Sequence, residues 1–366
     1  MAGARLEVGI TMQTAGSYVF PAVRGIQAGR EYYVSMCPLR MLVMLFQFDD
    51  IDPPELRAQR LLNRGRVPEI ARYIVEHADS YVFSAITASI DADVRFEAAG
   101  ASDVGTLHVP LSARFIINDG QHRRAAIEQA LRQRPALADE TIAVVFFHDR
   151  SLARCQQMFA DLNRYSIRSS SSLNVLYDHR DEKAATARAV LEAVPQLKEL
   201  VDMERSSLSK GSRKLFTLSA LHTATTQLLT GAPEEGRMET AVRFWSDLYA
   251  RFPSWEEVRG GKRSAGQVRN QCIHAHGVAL HALGRVGNSL VHRDGGWNDG
   301  LTGVEAIDWR REAPEWEGRA TAGGNLVKSA QNVILTGNLI KSRLGIGLSP
   351  EEQRLEDGYN RSSNAD

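Results

Sequence analysis

Residues Arg114-Phe115-Ile116-Ile117-Asn118-Asp119-Gly120-Gln121-His122-Arg123-Arg124-Ala125-Ala126-Ile127 run from a short apolar strand, through one glycine, into a helix that opens with a histidine and two arginines. That order makes an anion site. A helix beginning at Gln121 leaves its first backbone N–H groups without intrahelical partners, and its dipole adds about half a positive charge there. His122, Arg123 and Arg124 add side-chain donors, Gly120 permits both the corner and the close approach of a ligand, and Asp119 either caps the helix or helps to hold a divalent cation. The same residues also describe a plain capped helix with solvated arginines, and spacing alone does not separate the two readings.

Outward from this corner, alternating short runs predict an α/β first half, residues 1–150. Residues 1–30 read as an arm or an opening strand, Tyr32–Cys37 and Leu39–Phe48 as β-prone runs with Met41–Phe46 a buried strand, and the stretch from Leu56 to Val75 as helical. Tyr81–Ile90, Val94–Glu97, Leu107–Leu111 and Ala113–Asn118 read as strands, Gln121–Gln133 as the helix after the corner, and Thr141–Phe147 as a further strand. Beyond residue 150 apolar residues recur three and four apart in Ser151–Asn163, Glu182–Val194, Leu215–Leu229, Met238–Tyr249 and Ser264–Leu283, so residues 151–350 are expected to be mainly helical. The serines Ser169–Ser172 cap the next helix or form a loop, and residues 351–366 read as a flexible polar tail.

With 366 residues, 43% of them hydrophobic, the chain has material for two domains, and 44 basic against 44 acidic residues leave any nucleic-acid affinity to local patches. Three separated cysteines give no disulfide framework and fit a reducing cytoplasm. No apolar run approaches the roughly 20 residues of a membrane span. Three basic clusters are candidate DNA contacts: Arg164 and Arg168 with Arg150, Arg154 and Tyr165; Lys210, Arg213 and Lys214; and Lys262 and Arg263 with Arg259 and Arg269 among glycines. The first two equally describe a solvated face or a linker, and the third, made mobile by its glycines, is the preferred DNA-contacting loop. Cys272, His274 and His276 lack metal-binding spacing on a helix, so no metal site is assigned. Asp49, Asp50, Asp52 and Glu55, ahead of Gln59 and Arg60, either hold Mg²⁺ beside a triphosphate or decorate a helix start.

The run Asp119–Arg123 spells the motif of DGQHR-domain proteins, and with Pro53–Arg60, Tyr81–Ile90, Phe159–Arg164 and the region past Lys210–Lys214 the chain resembles the DndB family, associated with DNA sulfur modification. The resemblance implies a ParB/sulfiredoxin-like α/β core followed by a mainly helical half. It implies a nucleoside triphosphate such as ATP, with Mg²⁺, gripped by Gly120, Gln121, His122, Arg123, Arg124, Gln59 and Arg60. Asp119, Gln121, His122 and Arg123 are the candidates for any chemistry there. Sulfiredoxin-like motifs carry a nucleophilic cysteine where this chain has Gln121, and an amide forms no thiolate, so sulfinic acid reduction is excluded. Double-stranded DNA is the implied partner, with transcriptional control of phosphorothioation genes as the implied role. An NTPase or DNA-nicking enzyme, or a scaffold for other modification proteins or a second copy of the chain, are the alternatives left open.

Overall fold

The structure is a computed structural model that describes residues 16–46, 62–149, 152–164, 169–293 and 300–363. The chain divides into two compact units, residues 1–167 and 168–366.

The first unit is built on β1 (Ser17–Gln27), β2 (Arg30–Pro38), α1 (Leu39–Leu45), α2 (Val67–Glu76), β3 (Ile86–Asp91), β4 (Arg95–Ala98), β5 (Val104–Pro110), β6 (Arg114–Asp119), α3 (Gln121–Gln133), β7 (Thr141–His148) and α4 (Leu152–Arg164). Its seven strands form one mixed sheet in the order β4-β5-β1-β2-β7-β3-β6. Neighbours are antiparallel except β3 and β7, which run parallel. Phe20, Phe115, Phe146 and Ile117 from the strands share one core with Leu42 of α1, Ile74 of α2 and Ala126 and Ile127 of α3. Burying such side chains contributes about 1.5–3 kcal/mol each, and this packing fixes where α3 starts.

Two sequence readings are corrected here. Leu39–Leu45 is a helix rather than a strand, with Leu39, Leu42 and Leu45 buried at a three-residue spacing. Leu and Met are good helix formers, and a short apolar run carries no period that separates the two forms. The expected strand over Tyr81–Ile90 begins only at Ile86. Further along, α4 stays with the first unit although the sequence places residues 151 onward in the second. It packs on β6, where Met158 Sδ lies 3.8 Å from Asn118 Nδ2.

The second unit is mainly helical: α5 (Ser171–Tyr177), α6 (Glu182–Ala193), α7 (Pro195–Lys198), β8 (Val201–Asp202), β9 (Phe216–Thr217), α8 (Leu218–Leu228), α9 (Arg237–Ala250), α10 (Pro253–Arg259), α11 (Ala265–Gln271), α12 (Gly277–Val291), β10 (Thr321–Ala322), β11 (Asn325–Leu326), α13 (Ala330–Arg343) and α14 (Pro350–Ser363). Ser170 caps α5 by accepting from the Leu173 N–H at 3.1 Å. The central α12 is buried on successive residues from Val278 to Gly284, the pattern of a helix surrounded by others. It meets α8 at Gly284, where a Cβ would stand 2.3 Å from the Ala224 carbonyl oxygen.

The single helix expected over Ser264–Leu283 is two helices. Between them the Cys272 backbone bridges to Arg310, and the Ile273 N–H donates to the Trp309 carbonyl at 2.8 Å, so tertiary pairing takes the chain out of helical form. Nor is the stretch from 351 a loose tail. In α14, Glu352 is buried and accepts from Lys341 Nζ at 2.7 and 2.8 Å, and Glu356 accepts from Arg319 Nη1 at 2.9 Å. Polar residues that look solvated in the sequence are docked by partners distant along the chain.

Candidate functional site

The corner between β6 and α3 starts with a break in register. Thr87 stands opposite Asp119 but Ala88 stands opposite Ile117, so Asn118 is the extra residue of a β-bulge, a device that re-aims side chains. Asn118 is fully buried and its amide donates to Ser89 Oγ at 2.7 Å, while its Oδ1 has no partner. Gly120 follows as the N-cap of α3 with φ of 108°, where L side chains are strained. A Cβ there would also come within 2.9 Å of Ile86 Cγ1 and 3.1 Å of Arg123 Nη2. Glycine is therefore required twice over.

The next four side chains take four different roles. Gln121 is only 5% exposed, and its Nε2, a strong donor, finds no acceptor. His122 is half-buried and accepts at Nε2 from the Asn63 N–H at 3.1 Å. Arg123 lies back over the corner: Nη2 donates to Asp119 Oδ2 at 2.7 Å, and Nη1 donates to the Ser84 carbonyl at 3.1 Å and to the Ser84 hydroxyl. Asp119 thus neither caps the helix nor stands free, because Arg123 one turn along engages it.

Arg124 has to be taken out of the phosphate-facing set. Consecutive helix positions diverge by about 100°, and Arg124 is buried, donating to the Val43 carbonyl at 2.8 Å and to the Glu128 carboxylate. Burial lowers its pKa, an effect that Glu128 opposes. Its work is to tie α3 to α1. Cys155, which contacts Ser89, is buried and its pKa is raised mainly for that reason, so it offers no thiolate.

Gln59 and Arg60, with Asp49, Asp50, Asp52 and Glu55, lie outside the described residues, as do Arg150, Tyr165 and Arg168. Arg164 is exposed at the end of α4, and Arg154 pairs with Asp149 at 3.2 Å. In the second unit Lys210, Arg213 and Lys262 are exposed. Lys214 Nζ donates to the Glu199 carbonyl at 2.7 Å, and Arg263 is held by Glu257 at 3.3 Å and by Gln271 at 2.7 Å. Arg269 is buried and donates to the Ser209, Lys210 and Ser212 carbonyls at 3.0 to 3.1 Å, so it shapes a loop and is spent as a DNA contact. His274 is likewise occupied, accepting at Nδ1 from Trp255 Nε1 at 3.1 Å, and among the described residues no group of three His, Cys, Asp or Glu is placed to hold a metal. Sequence reasoning missed Ser84, Ser89 and Asn63, which hold the corner's side chains. Ser84 sits in a stretch whose alternation suggested a strand, and nothing in its spacing points to Arg123.

The model of the DndB family, DNA-sulfur modification-associated, matches residues 20–347. The chain belongs to the DndB family. Its membership gives this DndB-family protein a role in a DNA sulfur-modification system. No curated protein and no solved structure matches the chain. Among the described residues no helix is long and apolar enough to cross a membrane.

Proposed function

We propose that this DndB-family chain is a DNA-binding regulator of the modification genes whose first unit, a ParB/sulfiredoxin-like core, grips the phosphates of a nucleoside triphosphate at the start of α3. The observation that carries the reading is Gln121, buried with an unpaired amide donor at an uncapped helix start. Leaving such a donor unmade costs about 1–3 kcal/mol, which a phosphate oxygen recovers. Around it, Gly120 keeps the backbone open to close approach, and Arg123 is preset over the corner by Asp119 and Ser84. The residues present fit a triphosphate: Gln121, the first N–H groups of α3 and Arg123 hold its oxygens, and His122 lines the rim. Mg²⁺ bound with the nucleotide neutralises part of the phosphate charge. When an anion arrives, Arg123 exchanges Asp119 for it, which couples nucleotide binding to the carboxylate's freedom. Double-stranded DNA is contacted through exposed basic residues, of which Arg164, Lys210, Arg213 and Lys262 remain exposed.

The test is to titrate full-length protein with labelled ATP, GTP and CTP in Mg²⁺ and to follow duplex binding and phosphate release in the same samples. The regulator reading expects nucleotide binding that alters duplex affinity without phosphate release. Steady release, abolished in Arg123→Ala, replaces it by the NTPase reading. Unchanged nucleotide affinity in Arg123→Ala sinks the site, since a charge-assisted contact of roughly 1.5–3 kcal/mol is removed.

A further inference from the structure

The helix α14 is fastened to the second unit by charge rather than by apolar packing. Among the described residues the unit's apolar core draws nothing from α14, and its last contributor along the chain is Ile346. The docking face carries two carboxylates one turn apart, Glu352 and Glu356. Glu352 accepts from Lys341 Nζ at 2.7 and 2.8 Å and from Arg285 Nη2 at 3.2 Å, and Glu356 accepts from Arg319 Nη1 at 2.9 Å. Asn338 donates to the Glu352 carbonyl at 3.0 Å and to the Glu356 carboxylate at 3.1 Å. Farther along, the Arg319 guanidinium lies 4.1 Å from the centroid of the Tyr359 ring, whose hydroxyl donates to the Glu317 carbonyl at 2.8 Å. Arg285 of α12, Arg319 ahead of β10 and Lys341 of α13 thus converge on one acidic helix.

An ionic seam out of water holds little better than an apolar one, because desolvation offsets much of the attraction. A helix that only had to stay docked would be served as well by leucines. The seam is also incompletely paired, since Arg285 Nε and Asn338 Oδ1 are buried without partners. The start of α14, by contrast, is self-sufficient: the Ser349 N–H donates to the Glu352 carboxylate at 3.0 Å and the Glu352 N–H to the Ser349 hydroxyl at 3.3 Å, a capping box that needs nothing from the rest of the unit. Residues 344–349 join α13 to α14 and include Gly345, at φ of 66°, and Gly347, which suits a hinge. The family match ends at residue 347, and α14 opens beyond it at Pro350. With α14 lifted, the three cations remain, and Arg319 stays aimed by its bond to the Leu335 carbonyl at 3.0 Å.

We propose that α14 is a removable acidic plug, and that the surface beneath it, formed by Arg285, Arg319 and Lys341, takes the phosphate backbone of a DNA strand in its place. Two carboxylates about 5–6 Å apart at their Cβ atoms are a repeating negative charge, the character of a strand rather than of one small anion. Guanidinium forks that grip carboxylate grip phosphate with the same geometry. The family's association with DNA modification makes DNA the source of that phosphate. The class of partner rests on the DNA-binding reading given above, and the surface rests on residues that reading does not use.

The experiment takes the full chain, a short DNA duplex and, as a carboxylate polymer, polyglutamate. The unaltered protein is compared with Tyr359→Ala, Glu356→Gln and Tyr359→Ala combined with Arg285→Gln, by duplex affinity against salt and by amide hydrogen exchange of α14. Tyr359 is half-buried and uncharged, so its loss loosens α14 without stranding a charge, and a tryptophan fluorescence melt verifies that the unit is intact. Duplex is expected to speed exchange of α14 in the unaltered protein. Tyr359→Ala and Glu356→Gln are expected to bind duplex about fivefold more tightly, because less of the protein is plugged. Adding Arg285→Gln should remove that gain and lower the salt slope by about one. Exchange of α14 unmoved by duplex, with equal affinity in all four proteins, overturns the plug and leaves duplex binding to other residues. Absence of duplex binding from every protein overturns this inference and the DNA-binding reading together. Exchange speeded by polyglutamate and not by duplex overturns the strand in favour of an acidic protein segment.

Discussion

At the start of α3 the arginine that faces the corner is already held by a carboxylate and a serine, whereas at the start of α12 the lysine that faces the helix end, Lys328, has no carboxylate in the surrounding cavity wall. Both places have the same backbone physics, a helix start with free N–H groups, but they store charge differently. The first keeps its cation oriented by pairing with Asp119 and Ser84. At the second, burial lowers the pKa of the lysine and of the nearby His276 and His281, and no carboxylate lines the wall among the described residues.

The largest effect that sharpens this contrast is acidification. Burial pushes His274 down to about 3 and His281 down to about 4, and lowers His276. An unfolded imidazole takes up its proton near pH 6.5 while the folded one stays neutral. The unfolded state therefore binds more protons below pH 6.5, and stability falls as pH drops from there toward the folded values, by roughly 1.4 kcal/mol per pH unit for each group. All five tryptophans follow residue 240, so their fluorescence reports the second unit alone. Trp255 in particular donates to His274. Among the described residues of the first unit no histidine is buried. Tryptophan-detected unfolding should therefore shift to lower denaturant between pH 7 and 5, and a flat profile would contradict the neutral-imidazole account.

Next in size is the split between adjacent arginines. Arg124→Ala removes a buried partner of Glu128 and should cost about 3 kcal/mol in stability, seen in the denaturant midpoint, with nucleotide affinity of the folded protein little changed. Arg123→Ala should do the reverse. Gly120→Ala forces a side chain into a left-handed corner against Ile86, and a loss of about 2 kcal/mol is expected together with weakened nucleotide binding. The smallest effect is on Gln121. Replacing it by Leu relieves an orphan amide, so the melting temperature should rise by the equivalent of about 1 kcal/mol while nucleotide binding weakens. A Gln121→Leu protein that is less stable would show that the amide is satisfied in the native state.

Much of the first unit was readable because its signals are local. The helix predicted from Gln121 to about Gln133 is α3, and the glycine before it is the left-handed N-cap. Thr141–Phe147 and Ala113–Asn118 lie within β7 and β6 to a residue or so. Where the reading failed, a long-range partner decided. Leu39–Leu45 carried no period, α11 and α12 were separated by pairing with Trp309 and Arg310, and α14 is docked by Lys341 and Arg319. The candidate site shows the same division. Asp119 to Arg124 were all named from the sequence, but which of them face a ligand was not.

The order of residue types alone set a strand, a left-handed turn and a helix start in succession, because backbone conformation and helix end effects are decided within a few neighbouring residues. It also set the family, through motifs spread over most of the chain. Only the folded structure decided that Arg123 lies over the turn while Arg124 is sunk toward Val43, that Gln121 is shut in without a partner, and that Lys328 meets the start of α12 from about fifty residues away. Those outcomes depend on burial and on contacts between distant segments, and a linear string of residues specifies neither until it has packed.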